Sequence, residues 1–244
     1  MIINILTVKN FFLDHCSYCF IFPLLKSKRN FYEKKIRFKI FKDFKENFNE
    51  CDIALIDSRY YLNLDITKRS IFLEQIQKLK NPNNKVIFVD TADNAGQLKS
   101  EVLPFFDRYW KGQIFKNKNE YLKKHYGGRK FTDFYNKKFQ VIDNNPEYSA
   151  PVKIEDLNRI NVSWNMGLVP YGHYFHLFQK FFSIFPLTLF LSNKINFINP
   201  RSLRKTSFSC RIGTNYSRNT VSFQRNKIIK IIKNKINFKK IKRD

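Results

Sequence analysis

Glycine, proline, cysteine and acidic residues are all scarce in this sequence. Its 244 residues include 7 Gly, 8 Pro and 4 Cys. So few glycines and prolines exclude collagenous and linker-like chains, and four cysteines are too few for a disulfide framework in a chain of this length. We therefore expect a reducing compartment. Hydrophobic residues make up 43% of the chain, with 27 Phe and 12 Tyr, which is enough for a sizeable core and excludes a disordered composition.

Several motifs with a known chemistry are also missing. The sequence has no G-x-x-x-x-G-K-[ST] phosphate loop and no G-x-G-x-x-G dinucleotide fingerprint, which argues against P-loop enzymes and dehydrogenases. Cys16 and Cys19 have the spacing of zinc ligands, but no second pair of Cys or His ligands follows them. We therefore expect neither a metal ion nor a bound cofactor.

Long hydrophobic runs are absent as well. The longest spans residues 181–191 and is interrupted by Pro186, so it falls short of the roughly 20 residues of a membrane-spanning helix. Residues 1–8 are too short for a signal peptide and fit a buried first strand better. We expect a cytoplasmic protein that makes at most peripheral contact with the inner face of the membrane. The sequence gives no indication of an oligomeric state.

The scarcity of acids leaves a net charge of +25, from 45 Lys and Arg against 20 Asp and Glu. Such a charge is typical of proteins that bind nucleic acids or anionic membranes. About half of it lies in residues 201–244, which hold 14 basic residues and one acid, Asp244. Lys is commoner than Arg, and Asn, Ile and Phe are abundant, which is also the composition of proteins from AT-rich genomes. We therefore rank nucleic-acid binding second.

Short apolar runs bounded by turn residues recur along the chain and alternate with helical patterns. This arrangement predicts an α/β, Rossmann-like domain with a mostly parallel sheet. Continuous apolar runs suit strands that are covered on both faces, whereas strict alternation suits an edge strand. The runs expected to form strands are residues 2–8, 35–41 (the edge strand), 51–57, 86–89, the segment around 109–110, and 160–164.

Helices and turns are expected between these runs. Apolar residues recur at helical spacing in residues 65–79, and a loop and a helix are expected in residues 10–27. A further helical stretch is expected between Gly96 and Pro104. Gly127 and Gly128 indicate a turn. Residues 136–156 are polar and are expected to form a long surface loop.

Two acidic residues follow the strand predicted at residues 86–89. Asp90 ends the apolar run, and Asp93 lies in the polar turn after it. Ligands of parallel sheets collect at the carboxyl ends of the strands, so both residues are candidates for function. Asp also commonly closes a turn or caps a helix, and the pattern alone favours that structural role.

A second α/β unit is expected to begin near residue 205. Residues 207–213 alternate like a strand, residues 214–219 are polar, and residues 221–236 have helical spacing. Strand, loop and helix form the opening unit of a nucleotide-binding domain, whose helix N-terminus can hold phosphate. One strand and one helix cannot bury a core of their own. We therefore divide the chain into residues 1–200 and residues 201–244, the latter an incomplete second domain.

Several stretches resemble bacterial glycosyltransferases of the two-domain GT-B type, which act in cell-surface polysaccharide biosynthesis. VIFVDTADNAGQLKSEVLPFFDRYWKGQIF is similar to the segment that closes the N-terminal sheet of that family. YGGRKFTDFY and NVSWNMGL are similar to the pieces that follow it. SCRIGTNYSRNTVSFQRNKI is similar to the first strand, loop and helix of the donor-binding domain. The resemblance implies an acceptor-side domain followed by a truncated donor domain, with sugar transfer impaired by the truncation.

The resemblance also implies roles for individual residues. The donor would be a nucleotide-sugar, and the acceptor a glycan or a lipid-linked molecule. Without a metal, basic side chains and helix N-terminal amides would neutralise the leaving diphosphate. The candidates for this phosphate site are Arg211, Thr214, Asn215 and Arg218. The candidates for a general base at the acceptor hydroxyl are His15, Asp90 and Asp93. The candidates for binding an anionic acceptor are Arg108 and Lys111. For each residue a structural or solvated-surface role is the alternative.

Two other classes of protein stay open. A nucleic-acid binder would use the basic tail KIIKIIKNKINFKKIKRD as an electrostatic arm with interleaved aromatic residues. No helix-turn-helix, zinc-finger or RNP-like motif supports this alternative. A non-catalytic interaction protein would instead dock its acceptor-side domain on a partner chain that supplies the missing half.

Overall fold

The protein is described by a computed structural model in which residues 1–80, 82–164, 213 and 216–235 are placed. Within these residues, six strands form one sheet in the order β2-β1-β3-β4-β5-β6, and every neighbouring pair is parallel. The fold prediction of an α/β, Rossmann-like sheet is therefore confirmed. The strands are β1 (Ile2–Leu6), β2 (Arg37–Phe41), β3 (Ile53–Asp57), β4 (Lys85–Asp90), β5 (Arg108–Lys111) and β6 (Ile160–Val162).

The described residues also form six α-helices. The predicted helix at 65–79 is confirmed, and it begins where the Asp65 side chain accepts a hydrogen bond from Lys68 N at 2.8 Å. No helix in this part of the chain is long and apolar enough to cross a membrane. The helices are α1 (His15–Lys26), α2 (Lys28–Glu33), α3 (Ser58–Leu62), α4 (Ile66–Leu79), α5 (Lys130–Phe139) and α6 (Asn219–Lys235). Short 3-10 helices lie at Glu46–Asn49, Ser100–Phe105, Lys118–Leu122 and Ile154–Arg159.

The central strands are buried on both faces because alternate side chains enter two separate apolar clusters. In β4, Val86 and Phe88 belong to one cluster, and Ile87 and Val89 belong to the other. Helix α4 packs on the first face and helix α1 packs on the second. This arrangement explains why β1, β3 and β4 read as continuous apolar runs.

The helical stretch predicted before Pro104 is present as a 3-10 helix, since proline has no amide hydrogen to donate and disfavours α geometry in the residue before it. Another local prediction was wrong. Residues 136–139 belong to α5 rather than to a loop. The ring centroids of Phe139 and of Phe223 in α6 lie 5.2 Å apart. The polar sequence around Phe139 gives no indication of this tertiary contact.

Contacts divide the chain into two compact units. Among the described residues, the first comprises 1–122 and 152–164 and contains the whole sheet. The second comprises 123–151, 213 and 216–235 and contains α5 and α6. The predicted helix at 221–236 corresponds to α6. The strand predicted at 207–213 lies outside the described residues except for Gly213, and the division at residue 200 lies outside them as well. Both stay predictions.

Candidate functional site

The chain changes its direction of travel through the sheet at β1. From β1 it moves outwards to β2, returns to the other side of β1 to form β3, and then continues outwards to β6. The segments that leave β1 and β3 therefore diverge at the carboxyl edge of the sheet, where doubly wound sheets bind their ligands. A cleft of about 620 Å³ lies at this edge, and we call it the switch-point cleft.

Three segments line the switch-point cleft, and each follows a different strand. The segment after β2 supplies residues 42 and 43, the segment after β3 supplies residues 60, 63 and 64, and the longer segment after β1 supplies the rest. The charges of the lining side chains of the cleft sum to zero, since Lys9 and Lys42 are positive and Asp14 and Asp43 are negative. The Lys9 ammonium lies 3.6 Å from the Asp43 carboxylate, and both side chains are exposed. The remaining lining residues are Val8, Asn10, Leu13, Tyr60, Asn63 and Leu64.

Asp14 is the best-fixed charged group of the cleft. It caps α1, because its Oδ1 accepts a hydrogen bond from Ser17 N at 2.9 Å. Its Oδ2 accepts a second bond from Arg59 Nε at 2.9 Å. Partial burial raises the pKa of Asp14, but the bonds from Ser17 and Arg59 outweigh this effect and leave that pKa below its ordinary value. Asp14 is therefore a carboxylate at neutral pH and acts as a fixed hydrogen-bond acceptor.

Buried polar side chains tie together the ends of the strands behind the cleft. Asp57, at the end of β3, is fully buried and accepts hydrogen bonds from Thr7 Oγ1 at 2.8 Å and Arg59 N at 2.9 Å. Burial raises the pKa of Asp57. Ser58 Oγ accepts a bond from Thr91 N at 3.1 Å, which joins the ends of β3 and β4. These contacts fix the carboxyl ends of β1, β3 and β4 relative to one another.

Asp90 and Lys111, which were predicted for different roles, bind each other. Lys111 Nζ lies 2.6 Å from Asp90 Oδ2, and the two side chains are 0% and 5% exposed. Tyr109 donates its hydroxyl hydrogen to the same oxygen at 2.5 Å, and Asp90 Oδ1 accepts from Ala92 N at 2.9 Å. The alternative of a solvated surface role for Lys111 is wrong, because this last residue of β5 is fully buried and its ammonium lies against Ala92 O in the loop after β4. Asp90 closes that turn.

The structure does not bring the remaining predicted residues of the first unit together. His15 is the exposed first residue of α1, next to Asp14. Asp93 is exposed in the loop after β4. Arg108 begins β5 and Lys111 ends it, so the two lie at opposite edges of the sheet, about 10 Å apart along the strand. The two residues therefore do not form one acceptor-binding pair.

Of the four residues predicted for the donor phosphate, the structure describes only Arg218. Its Nη1 donates to Gly127 O at 2.9 Å, and its Nη2 pairs with the Glu147 carboxylate at 2.9 Å. Arg218 thus links the turn before α5 to the segment before α6 within the second unit. Arg211, Thr214 and Asn215 lie outside the described residues.

The sequence interpretation missed most of the residues that build the cleft. A signal existed for the buried polar residues behind the cleft, since Asp57 and Ser58 come directly after the apolar residues of β3, as Asp90 does in β4. Their proximity to Asp14 depends on the strand order, which the sequence does not reveal. In the described residues, no group of three or more His, Cys, Asp or Glu side chains is arranged to hold a metal ion.

Comparisons of this chain with protein-family models, with curated proteins and with solved structures each find no match. The likeness to GT-B glycosyltransferases therefore stays an interpretation of the sequence.

Proposed function

We propose that this is a glycosyltransferase-like protein whose sheet-containing unit binds the acceptor of sugar transfer in the switch-point cleft. The proposed donor is a nucleotide-sugar, and the proposed acceptor is a glycan or a lipid-linked glycan. The observation that carries the proposal is a cleft with balanced charged side chains at the carboxyl edge, between the segments that leave β1 and β3. A cytoplasmic location, with peripheral contact to the membrane, belongs to the same proposal.

The size of the cleft and the balance of its charged side chains favour a neutral, hydroxyl-rich ligand. Its volume of about 620 Å³ lies within the usual range of small-molecule sites. Two ammonium groups and two carboxylates line the cleft, so it offers both donors and acceptors without a net charge that would select a polyanion. Asn10 and Asn63 add amide donors and acceptors, and Leu13 and Tyr60 add apolar surface for the faces of a sugar ring.

Among the candidate bases, His15 fits this proposal best. It is exposed, and it adjoins Asp14, which lines the cleft. Asp90 is buried and bound to Lys111, so its carboxylate is not available to an acceptor hydroxyl. A general base must reach the proton that it removes, and an exposed side chain meets this condition better than a buried one.

Calorimetric titration tests the proposal with UDP-glucose, GDP-mannose and short neutral oligosaccharides as probes. Asn10→Arg places a long side chain in the cleft, and Asn47→Arg adds the same charge at an exposed position outside it. We expect an oligosaccharide to bind the wild type and Asn47→Arg equally, and Asn10→Arg at least about tenfold more weakly. Binding that is equal in both variants, or no saccharide binding at all, would refute the cleft as an acceptor site.

Nucleic-acid binding is a second candidate, and the charge of the second unit favours it. The described residues of that unit hold twelve Lys and Arg against three acids. All three acids already have partners: Asp133 pairs with Lys137, Glu147 with Arg218, and Asp143 accepts bonds from Thr220. The uncompensated basic residues would attract a polyanion.

Salt dependence tests this second candidate. A fluorescent single-stranded oligonucleotide is titrated at several salt concentrations against the wild type and the α6 variant Lys230→Glu/Lys233→Glu. At a polynucleotide site, the logarithm of the binding constant should fall steeply with the logarithm of the salt concentration. The slope of this plot should be smaller for the variant, by roughly 0.7 for each phosphate contact that is lost. An absence of binding at low salt would eliminate this candidate and leave the acceptor cleft unaffected.

A further inference from the structure

The amino edge of the sheet, opposite the switch-point cleft, holds a second cavity. It has a volume of about 470 Å³ and lies at the start of β4 and β5. Its floor is apolar and consists of Trp110 with one isoleucine from β3 and one from β4. Its charged lining residues are Lys80, Lys85, Arg108, Arg159 and a single acid, Asp107. We call it the amino-edge pocket, and we propose that it binds a small phosphate-bearing molecule with an apolar or aromatic body.

The charges of the pocket are unbalanced, unlike those of the switch-point cleft. Asp107 Oδ2 accepts a hydrogen bond from Val86 N at 2.8 Å, which ties the start of β4 to the residue before β5. Arg159 Nε is paired with Asp156 Oδ1 at 3.1 Å. Lys80, Lys85 and Arg108 then face Asp107 alone, which leaves an excess of two positive charges. An anion is the ligand that this excess would attract.

Lys80 places one of these cations where water solvates it poorly. Its Nζ lies 3.4 Å from Pro104 O, and the residue is half-buried beside Arg159. Burial lowers the pKa of Lys80 below its ordinary value. The nearby carboxylate of Asp107 raises this pKa and the nearby guanidinium of Arg159 lowers it, but burial has the largest effect. A phosphate in the pocket would give this ammonium a charged partner and offset the cost of its desolvation.

Arg159 forms a fixed wall of the pocket. Its Nη1 donates to Leu103 O at 3.1 Å and to Phe106 O at 2.7 Å, in addition to the ion pair with Asp156. Because Asp156 already neutralises this guanidinium, Arg159 contributes a rigid wall, and the positive excess of the pocket comes from Lys80, Lys85 and Arg108. A wall that is already fixed loses no further side-chain freedom when a ligand binds.

The strand register places the cations and the apolar floor side by side. Arg108 is paired with Ile87, two residues after Lys85, and alternate residues of a strand share a face. Lys85 and Arg108 thus stand at the rim of the same face on which Ile87 and Trp110 form the floor. A ligand with its phosphate at the rim would lay its body on the indole of Trp110, and an aromatic ring would stack there.

Calorimetry with three probes separates the phosphate from the body of the ligand. Adenosine 5′-monophosphate carries both groups, inorganic phosphate carries only the anion, and adenosine carries only the ring. We expect the monophosphate to bind at least about tenfold more tightly than either of the other two. Adenosine binding as tightly as its monophosphate, or no binding of the monophosphate, would overturn the proposal.

Charge-reversal variants locate the binding. Lys85 and Arg108 are exposed, so Lys85→Glu/Arg108→Glu changes the pocket without changing the core. Lys34→Glu/Lys39→Glu makes the same charge change on exposed residues outside the pocket. The first variant should lose at least about tenfold in affinity for the monophosphate and the second should lose little. Equal losses in both would refute a site at the amino edge.

Two further readouts complete this test. Ligand on the floor should change the fluorescence of Trp110, and a Trp110→Phe variant should lose that change while Trp164 still emits. The cleft variant Asn10→Arg should bind the monophosphate like the wild type, because the two cavities lie at opposite edges of the sheet. If the acceptor cleft does not bind saccharides, the test of the amino-edge pocket is therefore unaffected. If the amino-edge pocket does not bind the monophosphate, the test of the acceptor cleft is likewise unaffected.

Discussion

Replacing Lys111 with methionine tests whether the buried Asp90–Lys111 pair holds β4 and its loop to β5. In the wild type, Asp90 Oδ2 accepts from Lys111 Nζ at 2.6 Å and from the Tyr109 hydroxyl at 2.5 Å. Methionine keeps much of the apolar length of the lysine side chain but removes its ammonium. The Asp90 carboxylate then stays buried, with only the Tyr109 hydroxyl and the Ala92 amide as donors.

The expected loss of stability follows from this burial. Both side chains are at most 5% exposed, so solvent cannot replace the missing cation. Removing one partner of such a pair typically costs about 3–5 kcal/mol, because an uncompensated charge is left in the core. Since about 1 kcal/mol corresponds to roughly 2–4 °C in a chain of this size, Lys111→Met should lower the melting temperature by about 6–20 °C. Changing both partners, in Asp90→Asn/Lys111→Met, should recover at least about 2 kcal/mol of that loss.

Urea unfolding followed by circular dichroism measures these free energies, and thermal unfolding gives an independent value. The two single variants and the double variant form a cycle whose coupling energy isolates the pair. An unchanged slope against urea would show that the same surface unfolds in each protein. A loss below about 1 kcal/mol for Lys111→Met, or strictly additive single losses, would refute the reasoning.

Two further predictions concern Asp57 and Gly127. Burial raises the pKa of Asp57 above its ordinary value of 3.8. Above pH 3.8 the folded protein therefore keeps a proton that the unfolded chain has released. The free energy of unfolding should then fall as the pH rises from 3.8 through the raised pKa. Asp57→Asn lacks this proton, so urea titrations from pH 4 to 7 should give a flatter profile; parallel profiles would contradict the assignment. Gly127 has a φ of +66°, and an added Cβ would lie 2.7 Å from Thr132 Oγ1. Gly127→Ala should therefore cost at least about 1 kcal/mol in thermal unfolding, and an unchanged melting temperature would contradict this.

Much of the fold could be predicted because buried parallel strands leave a strong local signal. The runs of β1, β3 and β4 are apolar on both faces, and that of β2 alternates as an edge strand does. Asp65 also marks the start of α4, since its side chain accepts a hydrogen bond from the backbone amide of Lys68, three residues later in the chain. In each case the structure of the segment is determined by residues that lie only a few positions apart in the sequence.

The parts that could not be predicted depend on contacts between distant segments. The partner of Asp90 is set by the register of β5 against β4, which places Lys111 beside it. The end of α5 is stabilised by Phe223, which comes much later in the chain. The switch-point cleft exists only because β3 returns to the far side of β1. None of these relations leaves a periodic pattern in the sequence.

The separation of β5 from β6 in the sequence has a consequence for synthesis on the ribosome. The two strands are neighbours in the sheet, but about 50 residues lie between them, including the segment 123–151 of the second unit. At about 5–20 residues per second, β5 emerges roughly 2–10 s before β6. For that interval the outer edge of the nascent sheet exposes unpaired amides and carbonyls, which are a template for pairing with other chains. A chaperone that shields this edge would act in that interval of translation.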